Sequence, residues 1–203
     1  MSNKAKPTSK GLLIVVSAPA GCGKDTILGC VRDSCRNLHY SVSATTRQIR
    51  EGEEEGVHYF FKTHEEFEEL IKNDKLLEFT EYAGNYYGTP KDFIPKMLEA
   101  GKDVVLKIEV EGAANIRRIF PDCVLVFILP PSFDELERRL KKRGSETEET
   151  IKKRVNIAET EMSYVKSYDY IIINENLEKA TEDFKAVIRA EKLSVKRGTP
   201  VID

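Results

Sequence analysis

One stretch constrains this chain more than any other: an apolar run that breaks into a small-residue turn, a lysine and a helix. Leu12 to Val16 is continuously apolar, which predicts a strand buried on both faces, the kind found in parallel sheets. Ala18-Pro-Ala-Gly-Cys-Gly-Lys-Asp-Thr26 follows, and the apolar spacing at Ile27, Cys30 and Val31 is helical. Strand, glycine turn, lysine and helix in that order are the layout of a phosphate-binding loop.

The residue choice has a physical reason. A phosphate chain must approach backbone N–H groups closely, so Gly21 and Gly23 stand where side chains would obstruct it. The helix start near Lys24 aims its dipole and free N–H groups at the anion, and Lys24 adds a full charge for the β- and γ-phosphates. Residues Ala18, Pro19, Ala20, Gly21, Cys22, Gly23, Lys24, Asp25 and Thr26 are therefore candidate ATP-binding positions. The pattern G-x-x-x-x-G-K-[ST] asks for glycine at Ala18 and a hydroxyl at Asp25. Asp25 is a candidate ligand of Mg²⁺, directly or through water, and Thr26 can share that task. Taken alone, the same residues also describe an ordinary strand-to-helix turn.

The 203 residues allow one α/β domain with insertions and a sizeable core. A net charge of -2, with 33% charged residues, offers no global basic field, so no nucleic-acid partner is expected. No apolar run approaches membrane-spanning length, and MSNKAKPTSK has no apolar signal core. The expectation is a cytoplasmic protein with no membrane partner. Cys22, Cys30, Cys35 and Cys123 show no metal-binding spacing and read as free thiols. Cys22, at a helix N-terminus beside Lys24, is expected to favour its thiolate and to be shielded by ATP.

Residues 1–10 read as a tail, and the first helix is expected to reach Arg36. Tyr40 to Arg47 and His58 to Phe61 are β-prone, with an acidic turn, Glu51 to Gly56, before the latter. Thr63-x-x-Glu66 is a capping-box signature before Phe67, Leu70 and Ile71. Leu76 to Tyr82 and Asn85 to Tyr87 bracket Ala83-Gly84 as a hairpin, and Pro90 suits the first turn of a helix carrying Phe93, Ile94, Met97 and Leu98. Segment 42–90 thus interrupts a βα alternation. It holds Ser43, Arg47, Arg50, Tyr59, Glu78, Tyr87 and Thr89: arginines suited to a phosphate, and a carboxylate able to take the paired N–H groups of guanine. Singly, each also fits a solvated surface.

Val104 to Val110 is predicted as a strand whose carboxyl end carries Lys107 and Glu109; that end faces the ligand crevice of an open α/β sheet, and by position alone Glu109 equally fits a surface strand edge. Val124 to Leu129 is a further buried strand, Ser132-x-x-Glu135 caps the next helix, and Tyr170 to Ile173 is a last buried strand ending at Asn174. Between them lie Arg138, Arg139, Lys141, Lys142 and Arg143, an acidic loop, and Lys152, Lys153 and Arg154. That pattern fits a solvated helical hairpin, or a lid that brings arginines to a transferring phosphoryl group. A C-terminal helix carries Leu177, Phe184, Val187 and Ile188, before a loose end from Val195.

Together these motifs resemble the guanylate kinases over about residues 12–193. The resemblance rests on the phosphate loop, Ser-Val-Ser-Ala-Thr-Thr-Arg-x-x-Arg at 41–50, Gly56-x-x-Tyr59, Glu78, Gly84-Asn-Tyr-Tyr-Gly88, Glu109 followed by Gly112, Pro130-Pro-Ser132, and Arg139-x-x-x-Arg143-Gly with Arg154. It implies a P-loop three-layer α/β core with a parallel sheet (11–41, 91–131 and 166–194), a mixed α/β insertion that binds GMP (42–90) and a helical lid (132–165). It also implies ATP and GMP as substrates, Mg²⁺ with the ATP, and a monomer or homodimer.

By position, the resemblance implies that Ser43, Arg47, Arg50, Tyr59 and Tyr87 hold the GMP phosphate. Glu78 and Thr89 would read guanine, with Glu109 at guanine or at the metal's waters. Lys24 and the loop amides would hold the ATP phosphates, and Asn174 would lie near the adenine. Arg47 would join Lys24 and the lid arginines Arg139, Arg143 and Arg154 in catalysis. The chain departs from the family pattern at Ala18, Ala20, Asp25, Ala44 and Lys107. Two other readings use the same residues: a non-catalytic guanylate-kinase-like domain that binds phosphopeptides, and a kinase for another small phosphate ester.

Overall fold

The computed structural model describes residues 10–35, 37–82, 84–142 and 147–197. Among them the strands are β1 (Leu13–Ser17), β2 (Leu38–Ser41), β3 (Ala44–Thr45), β4 (Phe60–Phe61), β5 (Leu76–Tyr82), β6 (Asn85–Pro90), β7 (Asp103–Lys107), β8 (Val124–Leu129) and β9 (Tyr170–Ile173). The helices are α1 (Lys24–Ser34), α2 (His64–Lys72), α3 (Phe93–Glu99), α4 (Val110–Ile119), α5 (Phe133–Lys142), α6 (Glu148–Met162) and α7 (Leu177–Lys192). None of these helices is long and apolar enough to cross a membrane. A five-stranded sheet has the order β2-β7-β1-β8-β9, and a four-stranded sheet has the order β4-β3-β6-β5. By contacts the chain forms two compact units: Met1–Ile14 with Asn37–Cys123, and Val15–Arg36 with Val124–Asp203.

In the first unit, β2 and β7 pair in parallel, and Val104, Val105 and Leu106 are fully buried, as a near-continuous apolar run requires. The smaller sheet lies in this unit, with β5 and β6 antiparallel. Their hairpin turns at Gly84, whose φ of 75° suits glycine; the expected neighbour in that turn, Ala83, lies outside the described residues. Helix α2 begins as the sequence indicates. Thr63 Oγ1 accepts from the Glu66 amide at 3.1 Å, and Glu66 Oε2 accepts from the Thr63 amide at 2.8 Å. Its Phe67 packs with Ala44 and Leu76 under the sheet.

In the second unit, β8 and β9 pair in parallel, and α1 packs against α7 through faces that bury Ile27, Val31, Ala180 and Phe184. Helices α5 and α6 pack on each other. Helix α5 starts where Ser132 Oγ accepts from the Glu135 amide at 3.1 Å.

Three local expectations change. Pro90 belongs to β6 rather than to a helix, because the last residue of a strand can spare its amide; α3 begins at Phe93. Strand β7 ends at Lys107, so Glu109 is not a strand residue but the N-cap of α4. Strand β9 is not buried on both faces: as the last strand in its sheet it buries Ile172, while Ile171 and Ile173 are 52% and 54% exposed.

Thr63→Ala removes the α2 cap and is expected to lower stability by about 1 kcal/mol. Urea unfolding followed by circular dichroism measures this, and an unchanged midpoint would contradict the role given to the cap.

Candidate active site

In the first unit the site is built around Glu78. Cross-strand register sets Glu78 of β5 opposite Thr89 of β6, so both side chains project from the same face. The Thr89 hydroxyl donates to Glu78 Oε1 at 2.6 Å, and the two residues are 7% and 0% exposed. Glu78 Oε2 lies against α4, where a Cβ on Gly112 would approach it to 2.8 Å. Gly112 therefore leaves room for the carboxylate. Burial pushes the Glu78 pKa above its ordinary value, and the bond from Thr89 only partly offsets it.

Glu78 lines a cleft with Ser43, Tyr59, Thr80, Tyr87, Lys107, Ile108 and Glu109. The sequence singled out Ser43, Tyr59, Glu78, Tyr87 and Glu109, and the fold brings these five together, with Thr89 behind Glu78. The Ser43 hydroxyl is buried and has no hydrogen-bond partner among the described residues, so a ligand has a donor and acceptor to use. Glu109 takes extended backbone at the N-cap of α4 without capping the helix by its side chain. Lys107 Nζ stands 4.9 Å from the centre of the Tyr59 ring. The rings of Tyr59 and Tyr87 meet edge to face at 6.1 Å. Burial, then the neighbouring Tyr59, raises the Tyr87 pKa against the charge of Arg47, so its hydroxyl remains a neutral donor.

Arg47 packs over the rings of Tyr59 and Phe61, at 5.4 and 5.8 Å. Its Nη2 donates to both oxygens of Glu53, at 2.7 and 3.0 Å, and Nη1 donates to the Gln48 carbonyl at 2.6 Å. Glu53 also accepts from the Arg50 amide at 2.9 Å. Although burial opposes it, the Arg47 bond holds the Glu53 carboxyl below its usual range. Arg50 itself is exposed and does not line the cleft. Sequence reading missed Glu53. Its only signal was a place in an acidic turn, and the contact to Arg47 depends on how that turn closes.

In the second unit, Gly21 and Gly23 have φ of 93° and 83°, in the left-handed region that favours glycine. Protein atoms also crowd them. A Cβ on Gly21 would meet Leu140 Cδ2 at 2.9 Å, and one on Gly23 would meet Asn174 Nδ2 at 2.4 Å. The loop is closed by the Cys22 amide donating to the Pro19 carbonyl at 3.2 Å. Lys24 is the first residue of α1, and Asp25 and Thr26 are exposed in the same turn. Ala18 and Pro19 are buried, while Ala20 is half-buried.

Cys22 departs from expectation. Its side chain is fully buried, and burial, then the charge of Glu161, pushes its pKa up to about 12 against the pull of Arg139 and Lys24. It is a protonated core thiol rather than a reactive thiolate. Desolvation outweighs the helix terminus.

Asn174 is 7% exposed, and its side-chain amide donates to the Cys22 carbonyl at 2.7 Å. Arg139 Nη2 donates to the Asn174 main-chain carbonyl at 2.8 Å, while its Nε donates to Glu135 at 2.7 Å. Bonds from Arg138 and then Arg139 hold the Glu135 carboxyl down at about 2. Arg139 is thus brought to the phosphate loop through Asn174. Arg154 lies half-buried on α6, and Arg143 falls outside the described residues.

The guanylate kinase family model matches residues 10–191. The guanylate kinase of Shouchella clausii is 51% identical over 182 residues, covering 90% of this chain and 89% of that protein. The guanylate kinase of Bacillus subtilis is 46% identical over 192 residues, covering 94% of each. The crystal structure of guanylate kinase from Anaplasma phagocytophilum aligns with a TM-score of 0.78 at 33% identity, covering 93% of this chain and 90% of that one. A match over nearly the whole length, in family model, relatives and fold alike, means that the chain belongs to the guanylate kinase family.

Proposed function

We propose that this chain transfers the γ-phosphoryl group of ATP to GMP, giving ADP and GDP, within cytoplasmic purine nucleotide metabolism. The observation that carries the acceptor assignment is the buried Glu78 carboxylate, bonded to Thr89 in the wall of the cleft. Ionised, it accepts hydrogen bonds only, and guanine offers it N1–H and the exocyclic amine side by side. Adenine offers an acceptor at N1. In this reading Glu78 and Thr89, with Glu109, face the base of GMP or dGMP. Ser43, Arg47, Arg50, Tyr59 and Tyr87 face its phosphate. A guanidinium that clasps two oxygens of Glu53 is suited to clasp two phosphate oxygens.

On the donor side, residues Ala18 to Thr26, and Lys24 above all, hold the ATP phosphates in this reading. Arg139, Arg143 and Arg154 stabilise the transferring group, with Asn174 beside the loop. Among the described residues no group of three His, Cys, Asp or Glu could cage a metal. That donor set fits Mg²⁺, which keeps several waters and arrives on substrate phosphates with one or two carboxylates. Asp25 and Thr26 would hold it in the second unit, and Glu109 is the candidate in the first. When bound, it neutralises charge on the phosphates.

The nucleophile is a GMP phosphate oxygen. A phosphate monoester has a second pKa near 6 and is already ionised at neutral pH, so the chain need supply no general base. Its task is to align the two phosphates and to stabilise the developing charge with Lys24 and the arginines.

Arg154→Ala is expected to lower kcat by on the order of 10³ with little change in KM for GMP, because its bonds form to the transferring group. Steady-state kinetics measure this, and a variant that mainly raised KM would contradict the assignment. Glu78→Gln is expected to narrow the GMP-over-AMP preference in kcat/KM by roughly 10²-fold or more, since an amide can pair with adenine. Retained discrimination would remove Glu78 from base reading. The same variant is expected to melt higher at neutral pH. A carboxyl whose folded pKa is raised binds more protons folded than unfolded, so its stability falls as pH rises through the folded pKa. Removing the charge removes that loss, and a melting point that drops at pH 7 but not at pH 4 would refute it.

A further inference from the structure

The loop carbonyl that Asn174 holds belongs to the peptide linking Cys22 to Gly23. A peptide is planar and trans, so its N–H points opposite to its C=O. Holding the Cys22 carbonyl on the buried Asn174 amide therefore turns the Gly23 N–H to the other side of the loop. We propose that Asn174 is a positioning residue that aims the Gly23 amide at the phosphates of the bound nucleotide, rather than a reader of adenine. The inference rests on the assignment of the loop to ATP and deepens it.

Three observations converge on this. The acceptor is a carbonyl, so only the amide nitrogen of Asn174 can face it, and the 2.7 Å bond is buried. The glycine after that carbonyl is required by the same contact, since a Cβ on Gly23 would come within 2.4 Å of Asn174 Nδ2. The Asn174 backbone is itself anchored, because its amide donates to the Leu129 carbonyl at 2.8 Å and its carbonyl accepts from Arg139 at 2.8 Å. The side chain is committed to the loop from a fixed base. Losing it leaves a buried carbonyl unsatisfied and frees the peptide to rotate.

The test separates the loop from the base by using a ligand that has no base. Binding of Mg·ATP and of Mg·tripolyphosphate is measured by calorimetry for the unmodified protein and for Asn174→Ala, with GMP as a control. The expected result is that both triphosphate ligands weaken by the same factor, about tenfold for one buried hydrogen bond lost, while GMP is unchanged. A loss confined to ATP would mean that Asn174 contacts the adenosine part, and would overturn the proposal. No loss with either ligand would overturn it too.

Asn174→Asp gives a second arm with nearly the same shape. At pH 8 its carboxylate cannot donate to Cys22, so tripolyphosphate binding is expected to be weak. As the pH falls the acid becomes a donor, and affinity relative to the unmodified protein at each pH is expected to recover. A ratio that stays flat with pH would count against the proposal. Binding by the unmodified protein stands apart as the gauge of the nucleotide assignment, and its absence would sink both readings.

Discussion

A carboxylate withdrawn from water is costly unless something replaces its hydration, and Glu78 is such a group. The first unit is arranged to keep it there. Antiparallel register supplies Thr89 as a donor, glycine at 112 makes space for the second oxygen, and the packing of α4 on β5 holds both sides in place. Burial still outweighs the bond from Thr89 and keeps the carboxyl pKa raised. A base carrying two adjacent N–H groups would supply further donors. Selectivity of this kind comes from what a wrong base leaves unpaired.

The phosphate loop of the second unit follows the same logic in reverse. In the proposed reading its backbone donors face the ATP phosphates. Its glycines serve two ends, since they accept left-handed backbone and also give way to Leu136, Leu140 and Asn174. Those contacts fix the space around the loop, so a side chain at either glycine would collide with its neighbours.

Much of this was written in the chain. The apolar run into Gly21, Gly23 and Lys24 specifies a strand, loop and helix because few other structures tolerate that order of residues. Val124–Leu129 has the bounds read from sequence, as a continuous apolar run closed by Pro130 and Pro131 should. The Thr63–Glu66 box and the β5–β6 hairpin follow from local chemistry. What stayed hidden depended on neighbours remote in sequence. The apolar pattern of Ile108 and Val110 runs on past the end of β7 into α4, so Glu109 read as a strand residue. Cys22 carries every local mark of a reactive thiol, and burial overrides them all. Glu53 meets Arg47 only because the loop between them folds back. Gly112 and Asn174 were picked out from the family pattern, but the space Gly112 leaves for Glu78 and the Cys22 carbonyl that Asn174 holds are contacts remote in sequence.

The most direct measurement is ADP release from Mg·ATP by the unmodified protein, run in parallel with GMP, AMP, CMP and UMP. Turnover with GMP, and with AMP slower by roughly a hundredfold or more, is the expected result for a carboxylate that pairs two N–H groups. Comparable rates with AMP and GMP would contradict the role given to Glu78, however well the phosphate loop performs.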